Sequence, residues 1–205
     1  MLVALSVAMV AILAVGGSLA YFTQTKVADN VFTVGNVRIT LTEPAWDDPD
    51  GGGRADGDTV YPGEPLAKDP TVTNIGANPC FVRIQVTGLD CLVPDPEAED
   101  AADYMITLRN VSPDWTYYEG YYYYNKVLNC TSDTEHSQLL TATPELFTHI
   151  VIPTAIENIY EPWWQYNVKV TAQAVQAQKA RPSFDNGVLL MTVEEIANWF
   201  GTCGL

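Results

Sequence analysis

Five aspartates crowd into one Gly-rich stretch and are the best candidates in the sequence for metal chemistry. They are Asp47, Asp48, Asp50, Asp56 and Asp58. Calcium takes oxygen ligands from flexible loops, and closely spaced Asp residues with Gly supply both the ligands and the flexibility. The order differs from that of an EF-hand loop, because three glycines follow Asp50. A calcium site is therefore weighed against a solvated acidic loop, and the pattern favours the solvated loop.

Catalytic motifs are absent from the sequence. It contains no H-E-x-x-H, no G-x-S-x-G and no G-x-x-x-x-G-K-[ST]. The two histidines, His136 and His149, are too far apart along the chain to define a metal pair. We therefore expect a protein that is not an enzyme and has no cofactor, and we assign no catalytic residue.

The N-terminus has the character of an export signal. Residues 1–20 carry no charged side chain, and their apolar run ends in Gly-Gly-Ser-Leu-Ala. An apolar core followed by small residues is typical of a secretory signal and places cleavage between Ala20 and Tyr21, although the expected basic start is missing. A membrane anchor is the alternative, but it needs about 20 apolar residues, and the small residues come too early for that.

Four cysteines lie in the part that would be exported: Cys80, Cys91, Cys130 and Cys203. An even count in an exported chain favours disulfides, and four cysteines allow three pairings. Cys80 and Cys91 flank one candidate strand and are the more local pair, which would leave Cys130 to join Cys203. Zinc is the competing interpretation, and it is weak because no C-x-x-C spacing occurs.

The charge balance narrows the range of partners. The chain has 25 acidic and 10 basic residues and a net charge of −15. Nucleic acids and anionic membrane surfaces reward Lys and Arg, so neither is expected to bind. Acidity of this kind favours solubility outside the cell.

Hydrophobic periodicity indicates many short strands. Val37, Ile39 and Leu41 alternate with polar residues, as in a strand with one buried face. Further strands are predicted at 71–74, 81–86, 104–108, 146–152 and within 165–178. An acidic loop rich in Asp, Gly and Pro is expected at 43–65, and a second acidic loop, rich in Pro, is expected at 93–103. Glu119-Gly120, between two Tyr-rich arms, predicts a β-hairpin.

The C-terminal segment breaks the β pattern. Thr192 and Glu195 form a capping-box signature, which predicts a helix over 193–200 with Gly201 as the C′ residue. Short strands, two long loops and one terminal helix together indicate a mainly β fold. We expect a single antiparallel, jelly-roll-like β-sandwich over 37–205 with a short C-terminal helix.

The segment that follows the apolar run carries a family resemblance. "GGSLAYFTQTKVADNVFTVGNV" resembles the leader and first mature residues of the TasA/camelysin family, whose members are processed by a SipW-type signal peptidase. The matching residues are Gly17, Ala20, Tyr21, Phe22, Thr23, Asn30, Phe32 and Gly35. The segments 61–86, 120–128 and 168–178 also look like family segments. The four cysteines and the Asp-Gly loop are departures from the family pattern.

The resemblance implies a secreted, jelly-roll subunit of an extracellular biofilm-matrix fibre. In such fibres the N-terminal strand of one subunit, here 21–36, completes the sheet of the next. An extended segment needs partners for its backbone groups, and an open sheet edge supplies them. The donor-strand candidates are Tyr21, Phe22, Val31, Phe32 and Val34. The implied partners are further copies of the chain, the signal peptidase and an accessory subunit.

Two other functions stay open from sequence alone. One is a camelysin-like surface metalloprotease, since that name attaches to part of the family, although the sequence offers no convincing set of zinc ligands. The other is an adhesin or binding module that uses the aromatic residues at 115–124 as a contact patch.

Overall fold

The computed structural model describes residues 37–47, 61–93, 95–130, 140–158, 168–177, 184–185, 188–189 and 191–205. Over these residues the protein is mainly β, and every strand pair is antiparallel. The predicted signal peptide, the donor segment 21–36 and four of the five clustered aspartates lie outside the described residues.

The elements follow one another in a simple order along the chain. The strands are β1 Ile39–Thr42, β2 Pro65–Ala67, β3 Thr71–Asn74, β4 Cys80–Thr87, β5 Thr107–Arg109, β6 Trp115–Tyr118, β7 Tyr121–Tyr124, β8 His149–Val151, β9 Lys169–Gln176, β10 Phe184–Asp185 and β11 Val188–Leu189. The helices are the single turn α1 Pro44–Asp47 and the longer α2 Val193–Thr202. Two 3-10 segments span Ala101–Tyr104 and Thr154–Asn158. No helix of the described residues is long and apolar enough to span a bilayer.

The largest sheet has four strands in the order β6-β7-β4-β9. Its centre is the pairing of β4 with β9, in register from Cys80↔Gln176 to Thr87↔Lys169. A three-stranded sheet has the order β2-β8-β5, and two further pairs are β1-β3 and β10-β11. The segment after residue 140 also runs beside β3, since Thr73 and Ala142 form an isolated antiparallel bridge.

Both faces of the four-stranded sheet are covered. Its central strand β4 is therefore buried on both sides over its first five residues. Val82 and Ile84 belong to the main core, whereas Phe81 belongs to a second core that includes Ile196 and Phe200 of α2. Successive side chains of a strand point to opposite faces, so the sheet packs on the main core with one face and on α2 with the other.

The C-terminal helix confirms the predicted capping box and corrects its end. The Thr192 hydroxyl accepts from the Glu195 N–H, and the Glu195 carboxylate accepts from the Thr192 N–H. The helix continues through Gly201, which is therefore not the C′ residue. The C-cap is Cys203, so the C′ residue is Gly204, and it has the left-handed φ of +80° that is common at this position.

Strand predictions are confirmed for β1, β3, β4 and β9, and three differences stand out. The predicted strand 104–108 begins with a 3-10 residue, so that β5 starts only at Thr107. The predicted strand 146–152 shortens to β8, His149–Val151. The predicted loop 43–65 includes α1 and ends where β2 begins at Pro65.

No disulfide joins any two of the four cysteines, so neither expected pair is present. Cys80 begins β4, which spans roughly 23 Å at about 3.3 Å per residue. Cys91 lies past its far end, where its N–H donates to the Gly88 carbonyl at 3.3 Å. A disulfide needs Cα atoms closer than about 7 Å, so these two residues cannot be bridged.

The second expected pair, Cys130 and Cys203, has one buried and one exposed thiol. Cys130 is 2% exposed, and its thiol donates to the Ala77 carbonyl at 3.2 Å. Cys203 is exposed at the end of α2. The neighbour of Cys130 is instead the buried Cys80, whose thiol pKa Cys130 helps to raise.

Candidate functional site: an aromatic sheet edge

The predicted hairpin is confirmed and forms one side of the largest sheet. Its turn residues, Glu119 and Gly120, have φ +46° and +85°, as a type I′ turn requires. The flanking strands β6 and β7 pair in register from Trp115↔Tyr124 to Tyr118↔Tyr121. A two-residue turn of this type fixes both the register and the direction of every backbone group beside it.

Aromatic cross-strand pairs line one face of this hairpin. The rings of Tyr117 and Tyr122 lie 4.9 Å apart between centroids, and those of Trp115 and Tyr124 lie 5.3 Å apart. Such pairs each stabilise an antiparallel pair by about 0.2–1 kcal/mol. Trp115 and Tyr124 are buried, while Tyr117 is 62% exposed. The aromatic stripe therefore runs from the core to the surface at β6.

The outer edge of β6 has backbone groups without partners in the described part of the chain. In a two-residue hairpin the pair next to the turn, Tyr118 and Tyr121, exchanges both hydrogen bonds. The next residue, Tyr117, therefore turns its N–H and C=O away from β7. Trp115 does the same, and its N–H donates to the Ser112 carbonyl at 3.2 Å. Two carbonyls and one N–H thus face outward along this edge.

Three other edge strands carry features that resist further pairing. The edge strand β2 begins with Pro65, which has no N–H. The edge strand β5 ends with the exposed Arg109 and is followed by Asn110, which has φ +54°. On β9 the Gln176 carbonyl already accepts from the Trp199 indole at 3.2 Å. The residues of β6, Trp-Thr-Tyr-Tyr, include neither proline nor charge.

Two tyrosines of β7, Tyr122 and Tyr124, are held protonated at neutral pH by their surroundings. Burial, with a smaller contribution from Asp114, raises the pKa of Tyr124 to about 12. Burial, with a smaller contribution from Tyr117, also raises the pKa of Tyr122. The edge strand β6 contains no Asp, Glu, Lys or Arg, so it sets no such charge against an incoming strand and suits pairing with another backbone.

The predicted metal ligands are only partly placed. Asp47 is the last residue of α1, and the other four clustered aspartates lie outside the described residues. Within those residues no group of three or more His, Cys, Asp or Glu side chains could hold a metal ion. His149 lies in β8, where its Nδ1 is 2.8 Å from the Thr148 hydroxyl. Calcium at the acidic loop stays a prediction.

One residue of interest was not singled out in the sequence. Arg83 lies in the middle of β4 and is 5% exposed, although it alternates with apolar residues as a solvent-facing residue would. Its burial comes from α2, which covers that face of the sheet. The available signal was the amphipathic C-terminal helix, whose apolar side needs a surface to cover.

Comparisons with known proteins add no relative: no family model, no curated protein and no solved structure matches this chain.

Proposed function

We propose that this protein is a secreted structural subunit of an extracellular fibre of the biofilm-matrix kind. After removal of residues 1–20, the segment Tyr21–Val34 of one copy would add as a strand to the next copy. The partners are further copies of the chain, with a SipW-type peptidase for processing. The fibre-family likeness of the leader motivates the proposal, and the outer edge of β6 is the observation that carries it.

The edge matches the chemistry of the proposed donor. Tyr21–Val34 is rich in residues that favour strands, and it includes Phe22, Val31 and Phe32. Added beside β6, it would satisfy the outward N–H and C=O of Tyr117 and cover a ring that is now 62% exposed. Donation from one copy to the next is head to tail and does not close on itself, so it propagates as a filament.

We also propose the finer fold, a jelly-roll-like sandwich. The main core joins Ile84 of the four-stranded sheet to Leu66 and Ile150 of the three-stranded sheet. The chain passes back and forth between these sheets: β4 to β5, then β6 and β7, then β8, then β9. Crossing repeatedly between two packed sheets is typical of jelly rolls.

The test is electron microscopy of the mature protein beginning at Tyr21, with two variants at one position. Tyr117→Pro removes the outward N–H but no hydrogen bond of the hairpin, so filaments should be lost. Tyr117→Thr keeps the N–H and removes the ring, so filaments should persist in reduced amount. Circular dichroism checks that each variant monomer is folded.

A variant that lacks residues 21–34 tests strand donation separately from the assignment of β6 as the acceptor. Loss of filaments in the deletion and in Tyr117→Pro supports strand addition at β6. Loss in the deletion alone would overturn the assignment of β6 as the acceptor. Filaments that survive the deletion would overturn strand donation, and a mature protein that stays monomeric under all conditions would overturn the fibre.

A further inference from the structure

Arg83 is a buried cation with no counter-charge beside it among the described residues. It is 5% exposed, and no carboxylate of the described residues lies within ion-pair distance of it. The guanidinium carbon lies 3.8 Å from the centroid of the Tyr121 ring and 4.5 Å from that of Phe200. A guanidinium cannot lose its charge in a protein, so this charge is permanent.

Only part of the hydrogen-bonding capacity of Arg83 is used. Its Nε donates to the Gln173 side-chain carbonyl at 2.7 Å, and its Nη1 donates to the Tyr123 hydroxyl at 3.1 Å. A guanidinium has five N–H donors, so three remain without a described partner, one on Nη1 and two on Nη2. Because aromatic rings lie over the group, an acceptor would reach it in the guanidinium plane.

A cleft gives access to this group. It has a volume of about 680 Å³ and lies between the hairpin and α2, with Arg83 in its wall. The hairpin contributes Glu119, Tyr121 and Tyr123, and the helix side contributes Ala197 and Gly201. This volume falls within the range of small-molecule sites, roughly 300–1,000 Å³.

We propose that this cleft binds a monocarboxylate whose body is aromatic or aliphatic. The remaining Nη donors form a planar fork, which matches the two oxygens of a carboxylate. The carboxylate would pair with the Arg83 guanidinium, which is the one cation among the residues that line the cleft. A doubly charged phosphate would add a second negative charge beside Glu119 in a chain of net charge −15. The tyrosine rings and Ala197 give the rest of the ligand an apolar surface.

Phenylacetate is the probe, and phenylacetamide, its neutral analogue of similar shape, is the control. Binding to the full protein is measured by isothermal titration calorimetry and by the shift of the melting temperature. We expect phenylacetate to bind and to raise the melting temperature. Phenylacetamide should bind at least about tenfold more weakly, because it lacks the charge that pairs with Arg83. Inorganic phosphate is the third arm and should not compete.

Two variants locate the binding in the cleft. Gly201 lines the cleft, and a Cβ there would meet no atom within 4 Å, so Gly201→Leu adds a side chain at the cleft with no clash at its Cβ and should abolish binding. Arg83→Lys keeps the charge but loses the fork, and it should weaken binding about tenfold. Arg109→Lys, on the exposed edge of β5, is the matched control and should bind as the parent does.

Each alternative result has a meaning. Equal binding of phenylacetate and phenylacetamide would overturn the carboxylate assignment, as would phosphate that displaces the probe. Unchanged binding in Gly201→Leu would overturn the cleft as the site, even if Arg83→Lys does not fold. Absence of phenylacetate binding by the folded parent protein would overturn the proposal itself.

Discussion

The ring of Tyr123 meets the ring of Phe200 edge to face, with the centroids 5.8 Å apart and the planes at 77°. Tyr123 lies in the four-stranded sheet and Phe200 in α2, so this contact fixes the helix on the sheet. Both rings also lie near the Arg83 guanidinium carbon, at 4.5 Å for Phe200 and 5.9 Å for Tyr123 between that carbon and the ring centroid, and Nη1 of Arg83 donates to the Tyr123 hydroxyl. The packing of α2 on the sheet and the orientation of the buried guanidinium therefore depend on the same two residues.

Replacing Phe200 should cost much of the stability of the protein. Phe200 is fully buried, and Phe→Ala changes in cores destabilise by about 3–5 kcal/mol through lost burial and the cavity left behind. We expect the urea midpoint of Phe200→Ala to fall with little change in the slope of the transition. Asn198→Ala, on the exposed side of the same helix, is the control and should shift the free energy of unfolding by less than about 0.5 kcal/mol.

A largely buried ion pair between Lys68 and Glu43 stabilises the start of the described domain. Lys68 Nζ lies 2.7 Å from Glu43 Oε2, with side-chain exposures of 7% and 19%, and 4.6 Å from the centroid of the Trp46 ring. Lys68→Met would leave the Glu43 carboxylate without its cation. We expect a loss of about 3–5 kcal/mol in the free energy of unfolding, measured by urea denaturation.

The exposed pair Lys126–Asp114 is the matched control for that prediction. Its N–O distance is 2.8 Å, but its side chains are 51% and 37% exposed. Lys126→Met should therefore cost no more than about 1 kcal/mol. Equal losses in Lys68→Met and Lys126→Met would show that burial does not set the strength of the Lys68–Glu43 pair. The double change Lys68→Met with Glu43→Leu should recover part of the loss.

Sequence patterns predicted the elements whose signals are local. The alternation of apolar and polar residues that predicted β1 and β4 is visible within a few residues. The capping box that predicted α2 is likewise visible within four residues. The hairpin turn Glu119-Gly120 is equally local, because its positive φ angles need only the two turn residues. These signals gave the mainly β class and the terminal helix.

Features set by distant contacts were not predicted. The three-residue strand β2 begins with Pro65, which reads as a loop, and it forms only because β8 pairs with it. Arg83 reads as the polar side of an amphipathic strand, and its burial depends on α2, more than a hundred residues later. The expected Cys80–Cys91 disulfide rested on closeness in sequence, but an extended strand separates the two residues.

The reactivity of the thiols should divide the cysteines into two classes. Cys91 and Cys203 are exposed, whereas Cys80 and Cys130 are buried at 0% and 2% exposure. With reduced, folded protein, iodoacetamide should label Cys91 and Cys203, and Cys80 and Cys130 only after unfolding. Peptide mapping by mass spectrometry identifies the labelled sites. Rapid labelling of Cys80 in the folded protein would contradict the arrangement at the start of β4.

Stability should fall in alkaline solution, and Cys80 should account for part of the fall. Burial, with a contribution from Cys130, raises the pKa of the Cys80 thiol from 9.0 to about 12. Since the pKa is higher in the folded state, the unfolded state loses its proton first as the pH rises. The contribution to stability is therefore complete below pH 9 and is lost progressively between pH 9 and pH 12.

Urea unfolding at a series of pH values across this window measures the effect. Each proton released only by the unfolded state lowers the free energy of unfolding by up to about 1.4 kcal/mol per pH unit. Cys80→Ala removes the ionising group, so its stability should decline less steeply above pH 9 than that of the parent. Cys91→Ala, at an exposed position, is the control and should keep the steep decline because it leaves the Cys80 thiol in place. A parent and a Cys80→Ala variant with identical slopes would show that the Cys80 thiol is not held protonated by the fold.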